Sequence, residues 1–476
     1  MMAAATDIRG PAARGGIAAL AARVVGAGDA YAALGLYADA DPGLRASLES
    51  VILTTPRQRL IAAAAPYAPA GLLDHLAIEA DDSVALRLAK NPATPTTALH
   101  RLLGRRNDAR LRRYLAMHGH ADAAILRALS QDEAIEVRRA VAGNPAASAE
   151  VLARLAEEGD GLIQRAAAAA PEADAATLAR LWRSGDEWVR AEVAAHPNCP
   201  PELLLEAERA GDVRIRRKVA ANPTLDLPAL ERLLADPDDG VRAAAVRNPA
   251  VSGEDLDTEG EDSARVRRLV ARRPKLPAEL VARLATDPDT WVRRWIARHP
   301  DLTPALLEQL AASDEPEIRR GVARNPACPP GLLIRLAGDG EPWVQAGVAL
   351  REDAPPEAIR ILIDSRDRDV LGALGRNPNT PAAVLEAIAG NDDRDVRRSI
   401  VYNRSAPKGA VARLASDAYP LNRAMVVSHA GLDSAAVTAL LDDPEPQVRF
   451  AAARRLAREA LSRPARDPDG QPGDDE

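Results

Sequence analysis

Apolar residues along this chain recur at the spacing of short amphipathic helices. In the segment 316–340, a first apolar face lies within the stretch IRRGVAR, which ends at Asn325-Pro326. The residue before a proline is disfavoured in helical geometry, so the first helix is predicted to stop there. Pro330 then suits the first turn of a second helix. That helix carries leucines at helical spacing: Leu332, Leu333 and Leu336. The segment therefore predicts two short helices.

The same two-helix unit recurs along most of the chain, marked by a prolyl step. The interval is 26 residues, except for 27 between Pro92 and Gly119 and 25 between Pro249 and Pro274. The marker positions are Pro66, Pro92, Gly119, Pro145, Pro171, Pro197, Pro223, Pro249, Pro274, Pro300, Pro326, Glu352, Pro378, Arg404, Ala430 and Leu456. A period of this size indicates stacked units that bury their apolar faces only against their neighbours. The predicted fold class is all-α, an α-solenoid of about 15 two-helix repeats.

Three further positions recur relative to this marker, and each predicts a structural role. An acidic residue eleven positions before it, such as Asp289, is predicted to cap the first helix. An arginine seven positions before it, such as Arg293, falls beside the apolar stripe on a helical wheel. We expect these arginines to pair with carboxylates in a ladder that joins neighbouring repeats. An alanine three positions before the marker, such as Ala297, predicts a close approach of neighbouring backbones.

These positions together resemble a known repeat family. The string D-x-x-V-R-R-x-V-A-x-N-P-x-x-P-x-x-L-L-x-x-L-A, nearly complete at 289–311 and 315–337, resembles the leucine-rich repeat variant family and is similar to HEAT-like repeats. The resemblance covers about Gln58 to Leu456. It implies helix pairs stacked in a right-handed superhelix, and an interaction scaffold. Some variant-repeat proteins carry an N-terminal cysteine cluster for an iron–sulfur centre, whereas this chain has no cysteine before Cys199.

The composition is that of a folded chain with little charge excess. The 476 residues are 47% hydrophobic, 28% charged and 3% aromatic, with a formal net charge of −7. This charge gives no general attraction to nucleic acid or to an anionic membrane. Since no apolar run reaches about 18 residues, the sequence predicts a soluble cytoplasmic protein, and we expect a monomer.

The sequence indicates neither a cofactor nor catalytic chemistry. Cys199 and Cys328 occupy equivalent positions in separate repeats, which favours neither a disulfide nor a metal site. The motifs G-x-x-x-x-G-K-[ST], H-E-x-x-H and G-x-S-x-G are absent. Four histidines precede the marker, where Asn is common, and are interpreted as Asn substitutes at a helix end: His118, His196, His299 and His429. We therefore expect no cofactor, no metal and no enzymatic activity.

Tryptophan and arginine concentrate on the helix face opposite the apolar stripe. From about Arg247 to Trp343 they form a band across four consecutive repeats. Trp and Arg are enriched at binding hot spots, and the alternative is that the rings pack on the next repeat while the arginines are solvated. The residues predicted to bind a partner are Trp188, Trp291, Trp295, Trp343, Arg268, Arg272, Arg294, Arg298, Arg320 and Arg324.

The chemistry of the partner stays open at the level of the sequence. An acidic protein surface, a phosphorylated segment or single-stranded nucleic acid each fits a groove lined by Arg and Trp. The favoured hypothesis is a non-enzymatic scaffold that binds a protein or peptide, including an acidic one. The alternative is a nucleic-acid-binding HEAT-like protein with a groove like that of a DNA glycosylase.

Departures from the period predict the domain boundaries. Residues 1–56 are predicted to form a helical cap, 57–456 the repeats, and 457–476 a helix end followed by a disordered acidic tail. The segment 250–262, AVSGEDLDTEGED, lacks the leucines of a second helix. We expect its helix to be frayed or replaced by an acidic loop, which leaves a hinge, an acidic flap or a decayed repeat as interpretations.

Overall fold

The computed structural model describes residues 11–37, 39–78, 80–104 and 108–462. All regular secondary structure within these ranges is helical, which confirms the predicted all-α class. The first ten residues of the predicted cap and the predicted acidic tail at 463–476 lie outside the described residues.

Short helices follow one another along the whole described chain. The first eleven are α1 (Pro11–Gly26), α2 (Ala30–Tyr37), α3 (Pro42–Ile52), α4 (Pro56–Ala64), α5 (Ala70–Ile78), α6 (Asp82–Lys90), α7 (Thr96–Leu103), α8 (Ala109–Met117), α9 (Ala123–Leu129), α10 (Ile135–Ala142) and α11 (Ala149–Leu155). The next eleven are α12 (Gly161–Ala169), α13 (Ala175–Ser184), α14 (Glu187–Ala195), α15 (Pro201–Glu208), α16 (Val213–Ala220), α17 (Leu227–Leu234), α18 (Asp239–Arg247), α19 (Ala264–Val270), α20 (Ala278–Ala285), α21 (Thr290–Ile296) and α22 (Pro304–Ala311). The remaining eleven are α23 (Pro316–Ala323), α24 (Pro330–Ala337), α25 (Pro342–Ala349), α26 (Pro356–Leu362), α27 (Arg368–Arg376), α28 (Ala382–Ala389), α29 (Arg394–Arg398), α30 (Lys408–Ala415), α31 (Pro420–Val426), α32 (Ser434–Ala439) and α33 (Pro446–Ser462). Three 3₁₀ helices span Gly253–Asp255, Ser399–Tyr402 and Leu440–Asp442.

The chain divides into two compact units. One joins Met1–Leu72 with Ala337–Glu476, and the other is Leu73–Leu336. In the second unit a repeat consists of a first-layer helix before the prolyl step and a second-layer helix after it. First-layer helices of successive repeats pack side by side, as α14, α16 and α18 do. The apolar core lies between the layers, where for example Val241, Leu230 and Leu233 are buried.

Most first-layer helices carry the predicted acidic cap. The Asp81 carboxylate accepts a hydrogen bond from the Val84 N–H at 2.8 Å, and Asp289 accepts one from the Val292 N–H at 3.0 Å. The aspartates that cap a helix through their side chains in this way are Asp81, Asp108, Asp160, Asp186, Asp212, Asp238, Asp289, Asp367 and Asp393. Glu315 and Glu341 occupy the same position but make no side-chain hydrogen bond to their helices.

The repeating arginines form a ladder between repeats, with a carboxylate that differs from the capping residue. Arg216 shows the pattern: Nη1 donates to the Ala210 carbonyl at 2.9 Å, and Nε donates to Asp236 Oδ2 at 2.8 Å in the next repeat. This aspartate stands thirteen positions before its marker, two before the capping residue Asp238. Equivalent pairs are Arg112–Asp132, Arg138–Glu158, Arg242–Glu261, Arg267–Asp287, Arg397–Asp417 and Arg423–Asp443. The ladder thus ties a first-layer helix to the loop that precedes the next one.

A second ladder, of buried asparagines, joins the ends of the first-layer helices. The Asn222 Nδ2 group donates to the Ala194 and His196 carbonyls of the preceding repeat at 2.8 and 2.9 Å. Its Oδ1 accepts from the Thr224 N–H at 2.9 Å, so the amide also shapes the prolyl turn. The same pair of inter-repeat bonds is made by Asn144, Asn248, Asn325, Asn377 and Asn403. Helix-end carbonyls that would otherwise lack donors are satisfied in this way.

Histidine replaces asparagine in this ladder at three of the four positions predicted from the sequence. The Nε2 atoms of His118, His196 and His429 lie 2.8, 2.9 and 3.0 Å from a carbonyl oxygen of the preceding repeat. The buried Nε2 of His299 has no hydrogen-bond partner among the described residues. Its preceding repeat is the short one, in which Arg273 takes the asparagine position, so the ladder is interrupted there.

The aberrant repeat keeps its connection to the ladder although it loses its second helix. A 3₁₀ helix, Gly253–Asp255, stands where the other repeats have an α-helix, which confirms the expected loss of that helix. Glu261 still pairs with Arg242, with an oxygen 2.8 Å from Nη2. This repeat is one residue shorter than the 26-residue period. Just after it, Lys275 has a backbone φ of 57°, in the left-handed region. The acidic segment is therefore an integrated part of the stack in this unit.

The N-terminal helices pack on the last helix of the chain, within the same unit. Helices α1 and α2 lie against α33, and the Tyr67 and Phe450 ring centroids are 4.2 Å apart. Arg449, the last ladder arginine, pairs with Asp29, whose Oδ1 also accepts from the Tyr31 N–H. Asp29 thus reproduces the ladder carboxylate of a following repeat. The predicted cap covers the C-terminal end of the repeats, a contact that the sequence period does not reveal.

Replacing Asn222 by Ala is expected to destabilise the protein by about 2–4 kcal/mol, because two buried carbonyls lose their donor. Urea unfolding followed by circular dichroism measures the loss. Asn222→His is the control, since histidine makes the inter-repeat bond at three equivalent positions, and it should recover part of the stability. Equal losses in the two variants would contradict a hydrogen-bonding role for the ladder.

The ladder carboxylates predict a loss of stability in acid. Burial raises the pKa of Asp417, but hydrogen bonds from Arg397, the Tyr419 N–H and Asn422 outweigh it and lower the pKa to about 2. Because the folded-state pKa lies below the ordinary value near 4, this stabilisation is complete above about pH 4 and is lost as the pH falls toward 2.

Asp417→Asn should therefore lower the unfolding free energy at pH 7 by about 2 kcal/mol and flatten its dependence on pH between about 4 and 2. Urea titrations at a series of pH values compare it with Asp392→Asn, which changes an exposed carboxylate in the same unit. An unchanged acid slope in Asp417→Asn would contradict the assignment.

The contact between the N-terminal helices and α33 can be tested at a single glycine. A Cβ on Gly35 would lie 2.8 Å from the Phe450 carbonyl oxygen, whereas a Cβ on Gly71 would meet nothing within 4 Å. Gly35→Ala should destabilise the protein by about 1–3 kcal/mol. Gly71→Ala, the matched change in α5, should be neutral or stabilising by up to about 1 kcal/mol. Urea unfolding of both variants decides, and equal stabilities would show that the close approach does not matter.

Candidate interaction surface

The predicted tryptophans all lie on first-layer helices, and three of the four are exposed. Trp188 in α14, Trp291 in α21 and Trp343 in α25 have exposed fractions of 51%, 48% and 56%. Trp295, one turn after Trp291 in α21, is half-buried. The capping bonds of Asp186 and Asp289 begin α14 and α21 just before these rings, which fixes the direction in which Trp188 and Trp291 project.

Arginine side chains stack on the two tryptophans of α21. The Arg272 guanidinium carbon lies 4.4 Å from the Trp295 ring centroid, and that of Arg298 lies 5.9 Å from it. Arg294 stacks on Trp291 at 4.6 Å. Cation–π contacts of this kind stabilise by about 0.5–1 kcal/mol at exposed sites. They hold five of the predicted residues in one continuous patch on consecutive repeats.

The other predicted residues have different surroundings. Arg268 pairs with Asp289 at 2.5 Å, so its charge is compensated. Arg320 in α23 is half-buried, and Arg324, the residue after this helix, is exposed. Trp343 belongs to the other compact unit, and Trp188 lies four repeats before Trp291 within the same unit. The structure thus brings the α21 residues together with their neighbours, and Trp188 stands apart.

Trp188 has its own pair of arginines, which the sequence prediction missed. The guanidinium carbons of Arg165 and Arg214 lie 5.3 and 4.5 Å from its ring centroid. Arg214 occupies the same position in its repeat as Trp188 does in the preceding one. Comparing equal positions in adjacent repeats would have found this contact, because such positions lie side by side in a stack.

The charge around α21 is not balanced by carboxylates. Among the described residues, Arg294, Arg298 and Arg324 have no ion-pair partner, in contrast to Arg268. Burial, followed by repulsion from Arg324, Arg294 and Arg320, lowers the pKa of Arg298 below its usual range. The contributions of Arg324, Arg294 and Arg320 to this shift mean that these three guanidinium groups lie close to Arg298.

Within the part of the chain that the structure describes, no group of three or more His, Cys, Asp or Glu side chains is placed to hold a metal ion. Both cysteines are free and buried, and burial raises the pKa of Cys199 to about 12. A thiol with this pKa stays protonated at neutral pH and is a poor nucleophile.

The helices of the described part also lack the length and apolarity that crossing a membrane requires.

The fold and the surface define the class of this protein: it is an α-helical repeat protein with an exposed Arg/Trp patch. The family model for the leucine rich repeat variant matches residues 213–238 and 264–289, so these two segments are similar to repeats of this type. The first match covers α16 and α17, and the second covers α19 and α20. The resemblance predicted from the sequence is confirmed.

Solved helical repeat structures show limited similarity to the whole chain. A leucine-rich repeat variant structure is 27% identical over 52% of this chain and 88% of that chain, with a TM-score of 0.30. Yeast importin-beta (Kap95p) is 11% identical over 93% of this chain and 72% of that chain, with a TM-score of 0.37. Kap121p bound to Pho4p is 12% identical over 90% and 54%, with a TM-score of 0.24. Among curated proteins, none matches the chain.

Proposed function

We propose that this protein is a non-enzymatic scaffold that binds a partner protein or peptide through the Arg/Trp patch centred on α21. The observation that carries the proposal is Trp291, a large aromatic ring that is 48% exposed and has Arg294 stacked on it. Exposed aromatic rings and arginines are the groups most often found at binding hot spots. A ring already ordered by a stacked arginine loses less conformational freedom on binding.

The charged residues differ in their bonding partners, and this difference supports the proposal. Ladder arginines such as Arg216 and Arg267 bond to carbonyls and carboxylates of the stack. Capping aspartates such as Asp289 bond to helix N–H groups. Within the described ranges, Arg294, Arg298 and Arg324 have no such partners, so they are available to a ligand. Helical repeat proteins present extended surfaces of this kind to their partners.

The proposal includes a setting and a class of partner. A cytoplasmic location is supported by Cys199 and Cys328, which are free thiols, as is usual in a reducing compartment. An acidic partner is supported by the uncompensated arginines around α21. We further propose that the chain acts as a monomer, as expected from the sequence.

Changing Trp291 and Arg294 together to Ala is expected to abolish capture of the partner, because the ring and its stacked guanidinium are both removed. Affinity capture from the native cells followed by mass spectrometry compares the variant with the natural chain. The control is Leu205→Ala with Arg209→Ala, which removes an exposed apolar residue and an exposed arginine elsewhere in the same unit. Thermal melts should show that both variants stay folded.

Partner capture that survives the Trp291/Arg294 change would refute the assigned surface. A gel-shift titration against salt tests the nucleic-acid alternative, which the Arg–Trp stacks also suit. A steep salt dependence of retardation would favour that alternative, whereas no retardation at low salt would remove it.

A further inference from the structure

Four arginines occupy the same two positions in two adjacent repeats. Arg294 and Arg298 are four residues apart at α21, and Arg320 and Arg324 stand at the same positions one repeat later, at α23. We name these four residues the arginine quartet. Like charges at this spacing on a helix are destabilising. Their repulsion is not relieved within the protein, since Arg294, Arg298 and Arg324 have no ion-pair partner among the described residues.

Three earlier repeats compensate the arginine at the position of Arg294. In them, the arginine six positions before the marker pairs with the capping aspartate of the next repeat. Such pairs are Arg139–Asp160 at 2.6 Å, Arg217–Asp238 at 3.3 Å and Arg268–Asp289 at 2.5 Å. For Arg294 the corresponding cap is Glu315, which makes no side-chain hydrogen bond to α23 and no ion pair with Arg294. This compensation is therefore missing for Arg294.

The local charge is opposite in sign to that of the whole chain. The formal net charge is −7, yet the quartet places four positive charges on α21, α23 and the residues just after these helices. The exposed Arg298 and Arg324 leave this charge accessible from solvent. A ligand that neutralises it gains attraction and also relieves the repulsion within the free protein.

We propose that the arginine quartet is a receptor site for a phosphorylated side chain in a partner peptide. A phosphate monoester carries about −1.5 to −2 charges at pH 7 and three acceptor oxygens, so it can engage several guanidinium forks at once. A single carboxylate supplies only one negative charge. The Trp291 and Trp295 rings beside the quartet provide apolar faces for the flanking peptide residues. This inference rests on the proposed function and assigns the partner's chemistry.

The test measures binding of fluorescent degenerate nonapeptide pools by anisotropy at fixed ionic strength. One pool has phosphoserine at its centre, and two others have serine or glutamate there. We expect the phosphoserine pool to bind at least about tenfold more tightly than either, because several charge-assisted hydrogen bonds depend on the phosphate. Inorganic phosphate should compete. Equal binding of the three pools, or tighter binding of an oligothymidylate to the quartet, would overturn the proposal.

Variants locate the binding at the quartet. Arg298→Gln with Arg324→Gln should weaken binding of the phosphoserine pool by at least about tenfold. The control is Arg217→Gln with Arg247→Gln, which removes two positive charges from earlier repeats: Arg217 stands at the position of Arg294 and Arg320, and Arg247 at that of Arg298 and Arg324. It should change the affinity less than about twofold, because long-range charge effects are screened by salt. Equal losses in the two double variants would indicate nonspecific attraction and overturn the site.

The stability of the variants gives an independent readout. Because Arg298 and Arg324 repel their neighbours, the Arg298→Gln/Arg324→Gln variant should melt at or above the temperature of the natural chain. A lower melting temperature would mean that the quartet has a structural role and would overturn the proposal. Arg298→Lys with Arg324→Lys keeps the charge but removes the guanidinium forks, and it should also bind the phosphoserine pool more weakly.

The outcomes separate this inference from the proposed function. If the pools bind equally while the Trp291/Arg294 change still abolishes partner capture, only the phosphate assignment fails. If partner capture also survives that change, the surface itself is wrong.

Discussion

The repeats depend on the hydrogen bonds that satisfy the ends of their first-layer helices. Each prolyl step stops a helix and leaves carbonyl groups that face the neighbouring repeat, where water has little access. The buried Asn222 amide meets two of these carbonyls and also the backbone N–H of its own turn. An apolar side chain at this position would bury unsatisfied acceptors, which costs more than its own burial contributes. The proline and the asparagine therefore act together: the proline stops a first-layer helix, and the asparagine joins its end to the first-layer helix of the preceding repeat.

The arginine ladder adds a second set of bonds between repeats, toward the repeat that follows. A guanidinium has enough donors to serve two carbonyls and a carboxylate at once, as Arg216 does. The ladder aspartates such as Asp236, Asp287 and Asp417 are buried, so their pairs interact more strongly than surface ion pairs do. The last of them, between Arg449 and Asp29, uses a carboxylate from the other end of the sequence. The N-terminal helices thereby take the place of a following repeat and satisfy the end of the stack.

Much of this architecture could be predicted from the sequence, because local rules determine it. The prolyl stop at Pro326 and the capping role of Asp289 follow from backbone geometry and orphan N–H groups. The replacement of Asn by His118 was also predictable, because it keeps its place in the period. The Arg449–Asp29 contact was not, since no local pattern relates residues 420 positions apart. The carboxylate of the arginine ladder was hard to choose, because acids two positions apart, such as Asp236 and Asp238, are both candidates until the fold shows which one faces the arginine.

In the candidate surface, too, the sequence predicts which residues are present but not which of them form ion pairs. Position within the repeat and on the helical wheel predicted Trp291, Trp295 and their arginines, but it treated Arg268 and Arg294 as equivalent. In the fold they differ, because Arg268 meets the short side chain of Asp289, whereas the cap that follows Arg294 is Glu315. An aspartate can cap its own helix and pair with the preceding repeat at the same time. Exchanging it for glutamate removes both interactions at one step of the stack. One methylene group thus separates Arg268, which is paired within the stack, from Arg294, which has no ion-pair partner among the described residues.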